Sequence, residues 1–150
     1  MTAAVQLLIA FVSGVAVTLQ GQFMGLLDRT LGTKESVFIT YGSGGLLVTL
    51  LMLASRGGNL RAASGLPWYA FTTGVLGLVI VGSIGFVVPR LGVARAFTLI
   101  TGSQFLMAAL IDHFGLFGAV VRPVDATRAL GLVVMMAGVW LVVRAGHPAG

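Results

Sequence analysis

The sequence contains no cysteine and only four acidic residues in 150. Without cysteine there is no disulfide and no thiolate metal ligand, while the compartment stays open, because membrane proteins often lack cysteine anyway. Charge of either sign is scarce. Charged side chains make up 9% of the chain, against roughly 25% of an average soluble domain. So few charges cannot solvate the surface of a soluble globule. A disordered chain needs low hydrophobicity and high charge, and this one is 57% hydrophobic. Glycine is plentiful, at 22 residues, but without a Gly-X-Y period, which excludes a collagen-like fibre. The mean hydropathy is +1.04. An all-α integral membrane protein satisfies every one of these constraints.

Five stretches carry no charge: 2–27, 36–55, 62–89, 96–111 and 129–143. A spanning helix needs about 17–25 mostly apolar residues. The first three stretches suffice as they stand. The last two reach that length if Arg95, Arg128 or Arg144 snorkels to the interface. This predicts five transmembrane helices in one membrane domain, over approximately 3–27, 36–55, 67–88, 92–111 and 128–144. Pro67 opens the third helix where a first-turn proline is tolerated, with Trp68 and Tyr69 at headgroup level, and Pro89-Arg90 closes it. The runs are continuous, whereas a membrane β-barrel shows alternation. The first span has no Lys or Arg before its apolar stretch and is too long for a signal-peptide core, so it is expected to be retained. Eight arginines against one lysine, with abundant Ala, Gly and Val, point to a GC-rich bacterial genome.

Five spans place the termini on opposite sides of the membrane. One side then holds Arg56, Arg61, Arg122 and Arg128; the other holds Arg29, Lys34, Arg90, Arg95 and Arg144. Orientation normally follows an excess of Lys and Arg in cytoplasmic loops, and here the excess is a single charge. Two readings follow. Either copies insert both ways and pair antiparallel, or span hydrophobicity or a partner sets one orientation.

Polar residues inside a membrane are costly unless they face protein or water. In the first helix Gln6, Ser13 and Gln20 fall within about 40° of one another. In the fourth, Thr98, Thr101, Gln104, Ala108 and Asp112 lie within about 120°. These lines nominate Gln20, Gln104, Ser13 and Thr101 as substrate-binding residues in a cavity between helices one and four. Interhelical hydrogen bonding explains them equally. Glycines on shared faces (74, 77 and 85; 131 and 138; 21 and 25; 42, 44 and 45) permit close helix packing, and the 42–45 cluster could also serve as a hinge. No ionisable residue lies in the middle of a span. Asp112 and His113, at the end of the fourth, are the nearest candidates for coupling or gating. A structural turn with Asp112 as an Asx acceptor is the other reading.

The run Ile111-Asp112-His113-Phe114-Gly115-Leu116-Phe117-Gly118 resembles the signature of the YdcZ-type inner-membrane exporters of the drug/metabolite transporter superfamily. Gln104, Gly14 with Gln20, Arg122-Pro123 and Arg128-x-x-Gly131 support the resemblance. It implies a five-helix half-transporter in a bacterial inner membrane, the unfused counterpart of ten-helix relatives.

The function expected is therefore a small-molecule transporter, most simply an exporter, working as an antiparallel dimer. Its mate would be a second copy or a paired homologous five-helix subunit. The alternative is a non-transporting membrane subunit that assembles with or orients another membrane protein. An enzyme is disfavoured: no nucleophile set, carboxylate pair or metal cluster is spaced for chemistry, and His113 and His147 are the only histidines. No cofactor is expected. The partners expected are the lipid bilayer, a small-molecule substrate and the mate, with no nucleic acid, because the arginines are scattered over loops without a basic stripe.

Overall fold

The computed structural model describes residues 2–145, the side chains of Arg61 and Ala62 excepted, so His147 lies outside the described residues. The chain is helical, with no strand among the described residues. The long helices are α1 (Ala3–Leu31), α2 (Thr33–Ala54), α3 (Thr73–Leu91), α4 (Val93–Phe114) and α5 (Ala126–Ala145). Each is long and apolar enough to cross a membrane, the third counted from Trp68. Short 3₁₀ helices cover Leu60–Gly65, Trp68–Thr72 and Leu116–Gly118.

Several helices run beyond the charge-free bounds expected from sequence. α1 continues through Asp28 and Arg29 to Leu31, and α2 begins at Thr33, ahead of Lys34 and Glu35. Charged side chains at the interface do not break a helix; they end only the stretch that sits in hydrocarbon. α1, at 29 residues, is about 43 Å long and exceeds the roughly 30 Å hydrocarbon core. Pro67 precedes a 3₁₀ turn, Trp68–Thr72, that feeds directly into α3. Pro89 lies inside α3, which ends two residues after it. There the missing N–H costs one ladder bond near the helix end.

A single glycine separates α1 from α2, and another separates α3 from α4. Gly32 has φ 105° and ψ 165°; Gly92 has φ 83° and ψ 155°. Side chains rarely adopt that conformation, so glycine is what lets one helix follow another after one residue. The carbonyl of Gly32 accepts the Ser36 N–H at 3.1 Å, and that of Gly92 accepts the Ala96 N–H at 3.1 Å. The correspondence extends along the chain at a constant offset of 60 residues. Gly25 matches Gly85, Leu31 Leu91, Gly32 Gly92, Gly42 Gly102, Ser43 Ser103 and Leu46 Leu106. Burial repeats with it: Met24 and Ile84, Gly25 and Gly85, and Ser36 and Ala96 are all buried.

The chain divides into two compact units after Arg90. In the first, α1 packs on α2, and α3 meets both near the Gly32 end. The Ser36 hydroxyl donates to the carbonyl of Met24 at 3.1 Å. A Cβ at Gly25 would stand 3.2 Å from Val88, and one at Gly85 would stand 3.3 Å from Met24. Small residues thus let three helices approach closely, as membrane helices do when lipid supplies no hydrophobic drive. Asp28, whose side chain is only 7% exposed, ties the same end together. Its carboxylate accepts from the Thr33 hydroxyl and pairs with Arg90 at 3.3 Å. Arg90 also lies 3.6 Å over the Phe86 ring. Beyond this end, residues 3–20 of α1 are all exposed.

In the second unit α4 packs on α5. A Cβ at Gly102 would come within 3.0 Å of Val139. Few large side chains are buried in either unit, while Leu, Val and Phe cover the outside. Lipid is the solvent that suits such a surface. Aromatic side chains stand at the ends of the spans. Trp68 and Tyr69 meet edge to face, and the Arg144 guanidinium sits 4.9 Å over Trp140.

Candidate functional site

The polar residues nominated from sequence divide between the two units. Ser13 and Gln20 lie on α1, and Thr101 and Gln104 on α4. Ser13 donates to its own helix, at the Ile9 carbonyl, 2.8 Å away. Thr18 does the same to Gly14 at 3.0 Å, Thr98 to Ala94 at 2.7 Å and Ser103 to Ile100 at 2.8 Å. These hydroxyls are therefore satisfied without a neighbouring helix, which weakens the interhelical-bond reading for them. The amides differ. Gln6, Gln20 and Gln104 are exposed, and among the described residues none of their side chains makes a hydrogen bond. A helix cannot satisfy its own glutamine amide as readily as a short hydroxyl, and an unpaired amide in an apolar medium costs several kcal/mol.

Gln20 borders an open groove of about 470 Å³, with Thr40, Tyr41, Gly44, Gly45 and Val48 from α2 and Val81 from α3. Tyr41 extends its hydroxyl against Gly77 of α3, where a side chain would collide with it. Gly44 and Gly45 have open space where their Cβ atoms would be. Their effect inside this unit is to make room, not to bring helices together. Gly42, Gly74, Gly131 and Gly138 also face open space, while Gly25, Gly77 and Gly85 show the close approach expected of shared glycine faces, and Gly102, outside those faces, shows it too. Thr40 and Tyr41 were not singled out from sequence. The signal available was their position directly before the glycine cluster.

The Asp112–Gly118 run folds into a tight turn. Gly115 (φ 62°, ψ 33°) caps α4 in the left-handed conformation, and its N–H bonds the carbonyl of Ile111. The chain then makes one 3₁₀ turn and folds back, so that the Arg122 N–H reaches the Asp112 carbonyl at 2.8 Å. Nδ1 of His113 accepts the Val124 N–H at 3.0 Å. The Asx turn expected at Asp112 is thus replaced. Its carboxylate accepts no hydrogen bond among the described residues, and the main chain and His113 close the turn instead. The reason is geometric: the left-handed cap at Gly115 already turns the chain, so no side-chain acceptor is required. Asp125 then caps α5, accepting the Arg128 N–H at 2.7 Å. Asp112 and Arg128 face one groove between α4 and α5, and His113 faces another beside Leu110 and Phe114.

A bond to Nδ1 requires that nitrogen to be an acceptor. His113→Ala is therefore expected to speed amide exchange at Val124 about fivefold, the loss of one hydrogen bond near 1 kcal/mol, with little change in mid-α4. Hydrogen–deuterium exchange with fragment-level resolution checks this. Equal protection in both proteins would show that the bond contributes nothing.

The whole turn, Gln20 and Gln104 fall within residues 5–141, which match the family described as "Putative inner membrane exporter, YdcZ". No curated protein and no solved structure matches the chain. Five spans, the Asp112–Gly118 turn and a family match over nearly the whole length agree, and the chain belongs to the YdcZ family of multi-pass inner-membrane transporters.

Proposed function

We propose that this five-helix domain exports a small molecule as an antiparallel pair, formed with a second copy or with a homologous five-helix subunit. In the assembled pair Gln20 and Gln104, with Ser13 and Thr101, contribute to the substrate path. Asp112 and His113, at the α4–α5 turn, serve as its gate or coupling point. The observation that carries this reading is the set of exposed glutamine amides on spanning helices. Gln104 sits at the middle of α4 with no hydrogen bond among the described residues. Hydrocarbon cannot solvate it, so water, substrate or a second subunit must. The distribution of Lys and Arg, four against five, supports insertion in both orientations. Such insertion lets one gene product build the inverted architecture that larger transporters encode as internal repeats.

The test is a pair of C-terminal reporters on the protein expressed alone, one active only inside the cell and one only outside. Both are expected to be active, at levels within about threefold of each other, because a one-charge bias is weak. Activity from one reporter alone rules out the self-sufficient antiparallel pair and turns the search to an oppositely oriented homologous subunit or to the non-transporting subunit reading.

A further inference from the structure

The groove between α4 and α5 sets Asp112, which the transport reading uses, beside Arg128 and an apolar wall, which it does not. It measures about 520 Å³ and lies wholly within the second unit. Asp112 and Arg128 stand at the same end of it, one near the end of α4 and the other near the start of α5. Phe105 and Met135 line it seven residues deeper, about 10 Å further into the membrane, with Leu132 between. Gly131 leaves the wall open, with nothing within 4 Å of where its Cβ would be. The site thus has a charged rim and an apolar shaft.

The two charges do not neutralise each other. Among the described residues the half-buried Asp112 carboxylate accepts no hydrogen bond and meets no cation within 4.0 Å. Arg128 spends one nitrogen on the Arg122 carbonyl at 3.3 Å, which leaves most of its five N–H donors free. The other charged groups nearby point to different tasks. Asp125 caps α5, and Nδ1 of His113 is engaged by Val124 on the neighbouring groove. An acid and a base that share a rim without touching complement a ligand carrying both signs. An apolar shaft below them complements a hydrocarbon chain.

We propose that this groove holds a phospholipid whose headgroup joins a primary ammonium to a phosphate. The ammonium is held by Asp112 and the phosphate by Arg128, with one acyl chain running past Leu132 to Phe105 and Met135. A guanidinium suits a phosphate because it can donate to two oxygens at once, and a primary ammonium can donate to a carboxylate. The proposal does not depend on transport. It describes how the α4–α5 end of the protein is completed by the bilayer around it.

Native mass spectrometry of the purified full chain tests it, with phosphatidylethanolamine and phosphatidylglycerol of identical acyl chains as probes. The ethanolamine lipid is expected to be retained about tenfold more tightly, because only it offers Asp112 a cation. Asp112→Asn is expected to remove most of that preference. Gly131→Leu, which fills the shaft and improves helix propensity, is expected to weaken retention of both lipids about tenfold while leaving the protein monodisperse. Equal retention of the two lipids by the unmodified protein overturns the proposal. So does ethanolamine-lipid retention that Gly131→Leu leaves unchanged, a result that stands even if Asp112→Asn fails to fold. Displacement of the lipid by chain-free phosphoethanolamine at micromolar concentration also overturns it, since the occupant would then be a soluble zwitterion.

Discussion

Asp28→Ala is expected to destabilise the first unit by about 3 kcal/mol, and Asp28→Asn by about 1 kcal/mol. The difference follows from which partner matters. Arg90 is half-exposed, so water and salt screen its pairing with Asp28, and such pairs contribute about 0–1 kcal/mol. The Thr33 hydroxyl donates to the same carboxylate at a nearly buried position, and a hydrogen bond to a charged acceptor contributes about 1.5–3 kcal/mol. Asparagine keeps an acceptor for Thr33 and loses the charge. Alanine loses both, and with them the link that joins α1 to the start of α2 across Gly32. Thr33→Val should therefore cost more than Arg90→Gln. Unfolding in mixed micelles with increasing dodecyl sulfate measures all four variants. If Arg90→Gln proves the more damaging, the ion pair rather than the hydroxyl dominates this clip.

Gly115→Ala is the second large effect, at about 3 kcal/mol. Two costs add. The residue sits at φ 62°, where an L side chain costs about 1 kcal/mol over glycine. The new Cβ would also lie 2.6 Å from Cγ2 of Val121 and 3.3 Å from the Ala119 carbonyl oxygen. Overpacking of that kind costs about 1–3 kcal/mol. Adding Val121→Ala removes the first contact, so the double variant should recover most of the steric part and retain the backbone part. The coupling, read as non-additivity in the same unfolding assay, is expected near 1–2 kcal/mol. Additive losses would place the cost in the backbone alone. The His113–Val124 bond depends on this same reversal of the chain, so the Gly115 variant should also expose Val124 to exchange.

These variants probe features that differ in how far they could be read from sequence. The Asp112–Gly118 run was recognisable as a motif, and a turn was one of its two readings. That His113 supplies the acceptor while the Asp112 carboxylate stays free was not readable. The choice depends on where the returning segment 119–124 brings its N–H groups. The glycine hairpins are an intermediate case. Leu-Gly recurs at 31–32 and 91–92 with Gly and Ser recurring ten and eleven residues later, so the 60-residue offset is present in the letters. Its meaning emerges only from the positive φ at Gly32 and Gly92 and from the matched burial of Ser36 and Ala96. The clustered glycines at 42, 44 and 45 invited a packing argument, yet within their own unit they border open space.

Sequence alone determined the membrane class, the number and order of spanning helices and the family. Those properties are local: in hydrocarbon a backbone must satisfy its own hydrogen bonds, so a long apolar run becomes a helix whatever lies beside it. Tertiary structure alone decided which polar groups are engaged. Ser13 and Thr98 bond their own helices, Ser36 bonds across to α1, Asp28 is held by Thr33 and Arg90, and the amides of Gln20 and Gln104 make no bond among the described residues. Residue spacing shows which side chains share a helix face. Only the packing of one helix against another shows what that face meets.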